Sequence, residues 1–140
     1  MLSVSKINLR QNVFLLIVTE GKFATSVTCM DGRIQLPLAK WIKENYSVDY
    51  VDAITEPGID KKIAENLELE SIKTKIGISI NAHKSKLIVV SGHHDCAGNP
   101  VSEDEHISQI KKGVDVISSW NLDAKVIGVW VDGSWNIVPV

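Results

Sequence analysis

Apolar positions along the chain fall into short runs that alternate with amphipathic stripes, and this alternation predicts the elements. Residues 13–18 form an apolar run of strand length, equally compatible with an antiparallel strand or an entry helix, and Glu20-Gly21-Lys22 breaks it. Residues 23–28 resume with Thr25, Val27 and Thr28, which suit a pleated surface, and predict a strand. A helix is expected from Leu36, with Pro37 in its first turn, where the missing amide hydrogen costs nothing. Leu38, Trp41 and Ile42 supply its apolar face at spacings of three and four. Residues 49–55 predict the next strand, closed by a turn at Glu56-Pro57-Gly58. Two helices follow, because Ile59, Ile63 and Leu67 repeat at four and Leu69, Ile72, Ile76 and Ile80 make a longer stripe. Residues 86–91 read as a buried strand. Ser102 and Glu105 form a capping box ahead of a helical face of Ile107, Ile110, Val114 and Ile117, ending near Asn121. Residues 125–131 predict a strand, Asp132-Gly133 a tight turn, and residues 135–138 a final antiparallel strand.

Strands alternating with amphipathic helices imply an α/β fold: a mostly parallel central sheet flanked by helices, ending in an antiparallel hairpin strand. The 140 residues fit a single domain spanning 1–140, with neither a repeat nor a linker. In such sheets ligands bind beyond the carboxyl ends of the strands, where the chain order reverses. Composition narrows the partners. A formal net charge of -2 with 23% charged residues leaves no basic footprint for nucleic acid. No apolar run approaches the roughly 20 residues that span a bilayer, and residues 1–11 lack the pattern of a secretory leader, so a soluble, unsecreted protein is expected.

The chain holds two cysteines, and each follows a predicted strand. Cys29 opens Cys29-Met30-Asp31-Gly32-Arg33, and Cys96 closes Gly92-His93-His94-Asp95-Cys96. His93 and Cys96, three apart, can point into one turn, and with Cys29 they make the three nitrogen and sulfur ligands of a catalytic zinc site that keeps one position open. Thiolate ligands survive best in a reducing compartment, which predicts the cytoplasm. Were residues 29–33 extended, Cys29, Asp31 and Arg33 would share a face, with Arg33 gripping Asp31 beside the metal. His83 and His106, on helical stretches, read as solvated, and His94 and Asp95, with no assigned partner, as exposed, the alternative being a proton shuttle. The four tryptophans read as core or interface. A cysteine hydrolase, with Cys29 or Cys96 as nucleophile and His93 as base, is a third reading of the same residues.

On these two motifs the sequence resembles the β-class carbonic anhydrases, most closely a compact prokaryotic branch. The matching patterns are Cys-x-Asp-x-Arg at 29–33 and Gly-His-x-x-Cys at 92–96, and the order of elements agrees from about residue 23 onward. The resemblance implies zinc bound by Cys29, His93 and Cys96, and a catalytic dyad of Asp31 and Arg33. It implies a lyase that reversibly hydrates carbon dioxide to bicarbonate through a zinc-bound hydroxide, in a homodimer or higher homo-oligomer. The alternatives are a zinc-binding relative without hydratase activity, or a hydrolase of carbon disulfide or carbonyl sulfide. Where the family carries an Arg-Asn-Ala-Gly loop this chain has Thr55-Glu56-Pro57-Gly58, which sets a carboxylate at a position expected to hold a base or amide.

Overall fold

The computed structural model describes residues 21–140, and the apolar run at 13–18 lies outside the described residues. In chain order the elements are β1 (Phe23–Thr28), α1 (Gly32–Tyr46), β2 (Tyr50–Thr55), α2 (Ile59–Ala64), α3 (Leu69–Ala82), β3 (Leu87–His93), α4 (Glu103–Ser118), β4 (Lys125–Val131) and β5 (Ile137–Pro139). The strands form one sheet in the order β2-β1-β3-β4-β5. β1 pairs in parallel with both β2 and β3, and β3 with β4, while β5 returns antiparallel to β4. This is the α/β architecture expected from the alternation of patterns.

The order also fixes where a site can form. The chain leaves β1 for β2 on one side and comes back through α2 and α3 to β3 on the other, so direction reverses between the neighbours β1 and β3. Crossovers that depart to opposite sides leave a crevice at the carboxyl ends of those two strands.

Side-chain alternation divides the core into two layers. Ile88 and Val90 of β3 face a layer built with Ile63, Ile76 and Ile110 from α2, α3 and α4, whereas Leu87 and Val89 face Leu38 and Ile42 of α1. All seven residues of β3 are buried, as suits a strand covered by helices on both faces. Burial of each of these aliphatic side chains contributes about 1.5–3 kcal/mol.

Five boundaries differ from the sequence expectation by two residues or more. α1 begins at Gly32 rather than Leu36, because the Asp31 carboxylate accepts the Arg33 amide at 2.9 Å and caps the helix there. Pro37 consequently lies in the second turn, where its missing amide leaves the Arg33 carbonyl without its helical donor. α2 stops at Ala64, since Asn66 and Glu68 adopt left-handed φ values of 57° and 55°, and Leu67 lies outside the helix, exposed. β3 continues to His93 because β4 still pairs with it, Gly92 opposite Trp130 and His93 opposite Val131. At the hairpin, Trp135 has φ 63° and sits in the turn, which the Asp132 carboxylate organises by accepting the Ser134 and Asn136 amides, so the last strand starts at Ile137. α4 ends at Ser118, three residues short of Asn121.

Candidate metal centre

Cys29 follows β1 directly, His93 is the last residue of β3, and Cys96 lies three residues further on in the turn. Because β1 and β3 are paired neighbours, the two motifs converge at the reversal point. The sulfurs of Cys29 and Cys96 and a ring nitrogen of His93 all lie within 4.8 Å of one another, and all three residues are buried. Ile34 and Val131 pack with the two cysteines in an apolar cluster.

These donors fit zinc. The two sulfurs are 3.8 Å apart, which is about the edge of a tetrahedron whose centre lies about 2.3 Å from each sulfur. His93 Nδ1 lies 2.8 Å from the His94 carbonyl, which can only accept, so Nδ1 carries the hydrogen. The lone pair then resides on Nε2, which is buried without a hydrogen-bond partner. A buried, unpaired imidazole nitrogen beside two thiols is costly unless something coordinates it.

Without metal, the thiols divide one proton unevenly. Cys96 donates its S–H to the Cys29 sulfur, which also receives the Gly58 amide at 3.4 Å. Chiefly through the Cys96 bond, which outweighs burial, the Cys29 thiol is held well below its usual range. The Cys96 thiol is pushed up, first by the neighbouring Cys29 sulfur and then by burial. Burial disfavours a charge on the His93 ring, but the Cys29 sulfur and the His94 carbonyl outweigh it, and its pKa is raised.

Asp31 and Arg33 do meet, though not by the route the sequence suggested. The segment is not extended: Asp31 is the helix cap and Arg33 the second residue of α1. The pairing arises as the arginine folds back over the cap, its Nε and Nη2 reaching the Asp31 carboxylate at 3.0 and 2.7 Å. That guanidinium holds the Asp31 carboxyl down at about 2, and Asp31, then Asp95, raise the arginine in return. Gln35 Nε2 donates to the carbonyls of Cys29 and Asp31, tying the start of the helix to the cysteine.

Several partners were not legible in the sequence. Asp95 is exposed as expected, but it is not unpartnered: its carboxylate takes Arg33 Nη1 at 3.1 Å and its carbonyl takes Nη2 at 3.0 Å. The Arg33 guanidinium also lies 4.9 Å above the Trp135 ring. His94 is exposed and packs against Gly133. Glu56 is bound by Lys75 at 3.2 Å and Lys62 at 3.6 Å, and its pKa is lowered chiefly by Lys75. His83 is half-exposed and bonds Asp52. His106 is a correction: it is not solvated but 1% exposed, its Nδ1 hydrogen-bonded to the equally buried Asp60. Its polar neighbours along α4 gave no hint of a partner 46 residues away.

Comparison with known proteins agrees with the fold. Residues 19–140 match a family model described as "Putative carbonic anhydrase". Among solved structures, one of two tetrameric β-carbonic anhydrases from the filamentous ascomycete Sordaria macrospora aligns with a TM-score of 0.55 at 14% identity, over 99% of this chain and 91% of that one. A β-carbonic anhydrase of the fungal pathogen Aspergillus fumigatus aligns with a TM-score of 0.52 at 16% identity, over 98% of this chain and 85% of that one. No curated protein sequence matches the chain. At these identities the solved structures speak for the fold.

Proposed function

Since the chain belongs to the putative carbonic anhydrase family, we propose that it is a zinc-dependent lyase that reversibly hydrates carbon dioxide to bicarbonate. The observation that carries this reading is the buried triad itself: two sulfurs at tetrahedral-edge separation beside an imidazole nitrogen with no other partner. Cys29, His93 and Cys96 would hold the metal. Bound there, zinc supplies a Lewis acid and lowers the pKa of a water in its open fourth position.

The remaining residues have separate tasks. Asp31 is ionised and cannot swing freely, because Arg33 holds both of its oxygens, so it serves as a fixed acceptor that orients the reacting water. Arg33 is itself held by Asp95 and Trp135, which makes the dyad a braced unit rather than a loose surface pair. Ile34 and Val131 lend the site apolar walls, where fixed charges act more strongly than in bulk water. Hydration joins the water oxygen to the carbon and releases one proton, which passes to buffer. Glu56, at the position where the family loop differs, is neutralised by two lysines, and this favours catalysis over a metal-binding role alone.

Stopped-flow hydration of carbon dioxide on protein of measured zinc content tests the reading. Rate should scale with zinc up to one ion per chain. Zinc-replete protein no faster than buffer overturns the lyase, and turnover of carbon disulfide or carbonyl sulfide instead moves the substrate.

A second copy of the chain is the partner we infer for the surface beside the site. Met30 and Leu36 flank Asp31 and Arg33 with 62% and 79% exposure, an apolar patch at the edge of the proposed active centre. Sedimentation at micromolar concentration should give a dimer or larger. A monomer with full activity would show that no partner is needed. The single-domain organisation and a reducing compartment such as the cytoplasm belong to the same reading, the latter because both thiols are free.

A further inference from the structure

Four buried polar side chains beneath the Cys96 turn have no part in the chemistry above. Asn99 lies in that turn, its amide 3.3 Å from the Cys96 carbonyl. Its side-chain nitrogen donates to Asp60 Oδ1 at 3.1 Å, on α2, and to Gln109 Oε1 at 2.6 Å, on α4. The other Asp60 oxygen is bonded by His106 Nδ1. Asp60, Asn99 and His106 are each 1% exposed and Gln109 is 8% exposed. Both oxygens in front of Asn99 are acceptors, so its amide orientation is dictated: the nitrogen must face them, and both of its hydrogens are used.

The backbone around this cluster is equally constrained. A Cβ added to Gly98 would lie 2.8 Å from the Gly58 nitrogen, and one added to Gly92 would lie 2.5 Å from Asp60 Oδ2. Gly98 thus lets the Cys96 turn rest directly on the Gly58 loop, and Gly58 in turn donates its amide to the Cys29 sulfur. Asn99 Oδ1 is buried without a hydrogen-bond partner, and the other contacts named pair the set in one arrangement. Shifting the Cys96 turn would break both donated bonds of Asn99 at once.

We infer that Asn99 is a positioning residue for Cys96: the Asp60–His106 pair and Gln109 fix its side chain, and Asn99 fixes the turn in the geometry that retains a divalent cation. The inference rests on the metal-binding reading of the triad. It extends that reading to residues outside both motifs, contributed by two helices that carry no proposed ligand.

The test measures zinc affinity by competition with a chromophoric chelator for the wild-type chain, Asn99→Ala and Ile117→Val. Ile117 is a buried core residue on α4 itself and serves as a control for general destabilisation. Asn99→Ala should weaken zinc binding by about 10–100-fold, the range seen when an outer partner of a metal site is lost. Ile117→Val should lower the melting temperature and leave affinity unchanged. In Co²⁺-loaded protein the thiolate charge-transfer absorption should weaken in Asn99→Ala alone. A second measurement needs no metal: in the metal-free chain, iodoacetamide should alkylate Cys96 faster in Asn99→Ala than in wild type.

Wild-type zinc affinity and unchanged Cys96 labelling in Asn99→Ala overturn the inference, as does an equal loss of affinity in Ile117→Val. If the wild-type chain binds no zinc, the proposed function falls and the labelling of Cys96 decides this point alone. Should Asn99→Ala fail to fold, Gln109→Met removes one of the two acceptors at similar volume. It should give a smaller loss in the same direction, and no loss counts against the inference.

Discussion

Cys96→Ser protein should emerge from purification without stoichiometric zinc and hydrate carbon dioxide no faster than buffer. Serine keeps the size of the side chain but does not ionise near neutrality, so one of three donors is lost from a site with no fourth protein ligand in reach among the described residues. The loss in affinity should exceed the roughly 100-fold that marks the upper end for outer partners. Fold should survive, because Cys96 lies in a turn outside every strand and helix. Circular dichroism and elemental analysis on one sample separate the two outcomes. Zinc retained at one per chain would reject the triad.

The same donors set how zinc binding depends on pH in the wild type. The Cys29 thiol is held well below its usual range, whereas the Cys96 thiol is pushed up by the neighbouring Cys29 sulfur and by burial and must give up its proton to ligate. Protons are therefore released on binding, and apparent affinity should climb as pH rises through neutrality. Calorimetry in buffers of different ionisation enthalpy counts the protons. A release of none would contradict the protonation pattern.

Arg33→Ala should cost on the order of 10²–10⁴-fold in hydration, the range for a misplaced acid–base group, while zinc content stays at one per chain. The arginine touches no ligand atom; it holds Asp31, Asp95 and the Trp135 face. Its removal frees the carboxylate to leave its post. The pH profile supplies the sharper check. With Arg33 present the Asp31 carboxyl stays at about 2, and without it should return only to about 3.9. Asp31 is ionised at neutral pH either way. Hydration should rise toward alkaline pH as the zinc-bound water of the proposed site ionises, and the mutant should be slower at every pH from about 6.5 to 9 with that rise unchanged in position. A displaced profile would mean that Asp31 titrates in the assay range, and wild-type rates would remove the dyad from the mechanism.

Patterns local to one element were legible in the sequence, and contacts between distant segments were not. β1 and β4 begin and end where their apolar and β-branched runs do, and the capping box at Ser102 is made as expected, with the hydroxyl accepting the Glu105 amide. The start of α1 was misjudged because two helix-start cues competed. Pro37 suits a first turn, but Asp31 can satisfy an amide with its side chain, and the hydrogen bond decided. At the site, spacing brought out Cys29, His93, Cys96 and the Asp31–Arg33 pair. Asp95 and Trp135 reach Arg33 only through the fold, across 62 residues in the first case. His106 was misread for the same reason, since its burial depends on Asp60 in another helix.

The crossover that brings Cys29 and Cys96 together also separates them by 67 residues of chain. At a synthesis rate of about 5–20 residues per second, Cys29 leaves the ribosome roughly 3–13 s before its partner. All that time it is a thiol on an unfinished sheet, able to react or to bind metal in the wrong company. His93 and Cys96 emerge together, yet their turn is not anchored until His106 and Gln109 follow. Until His93 and Cys96 emerge, the nascent chain holds one of the three proposed ligands. On the proposed zinc reading, loading would await emergence of the residues that anchor the turn, and long-range parallel pairing, among the slower steps of folding, would set when the ion is captured.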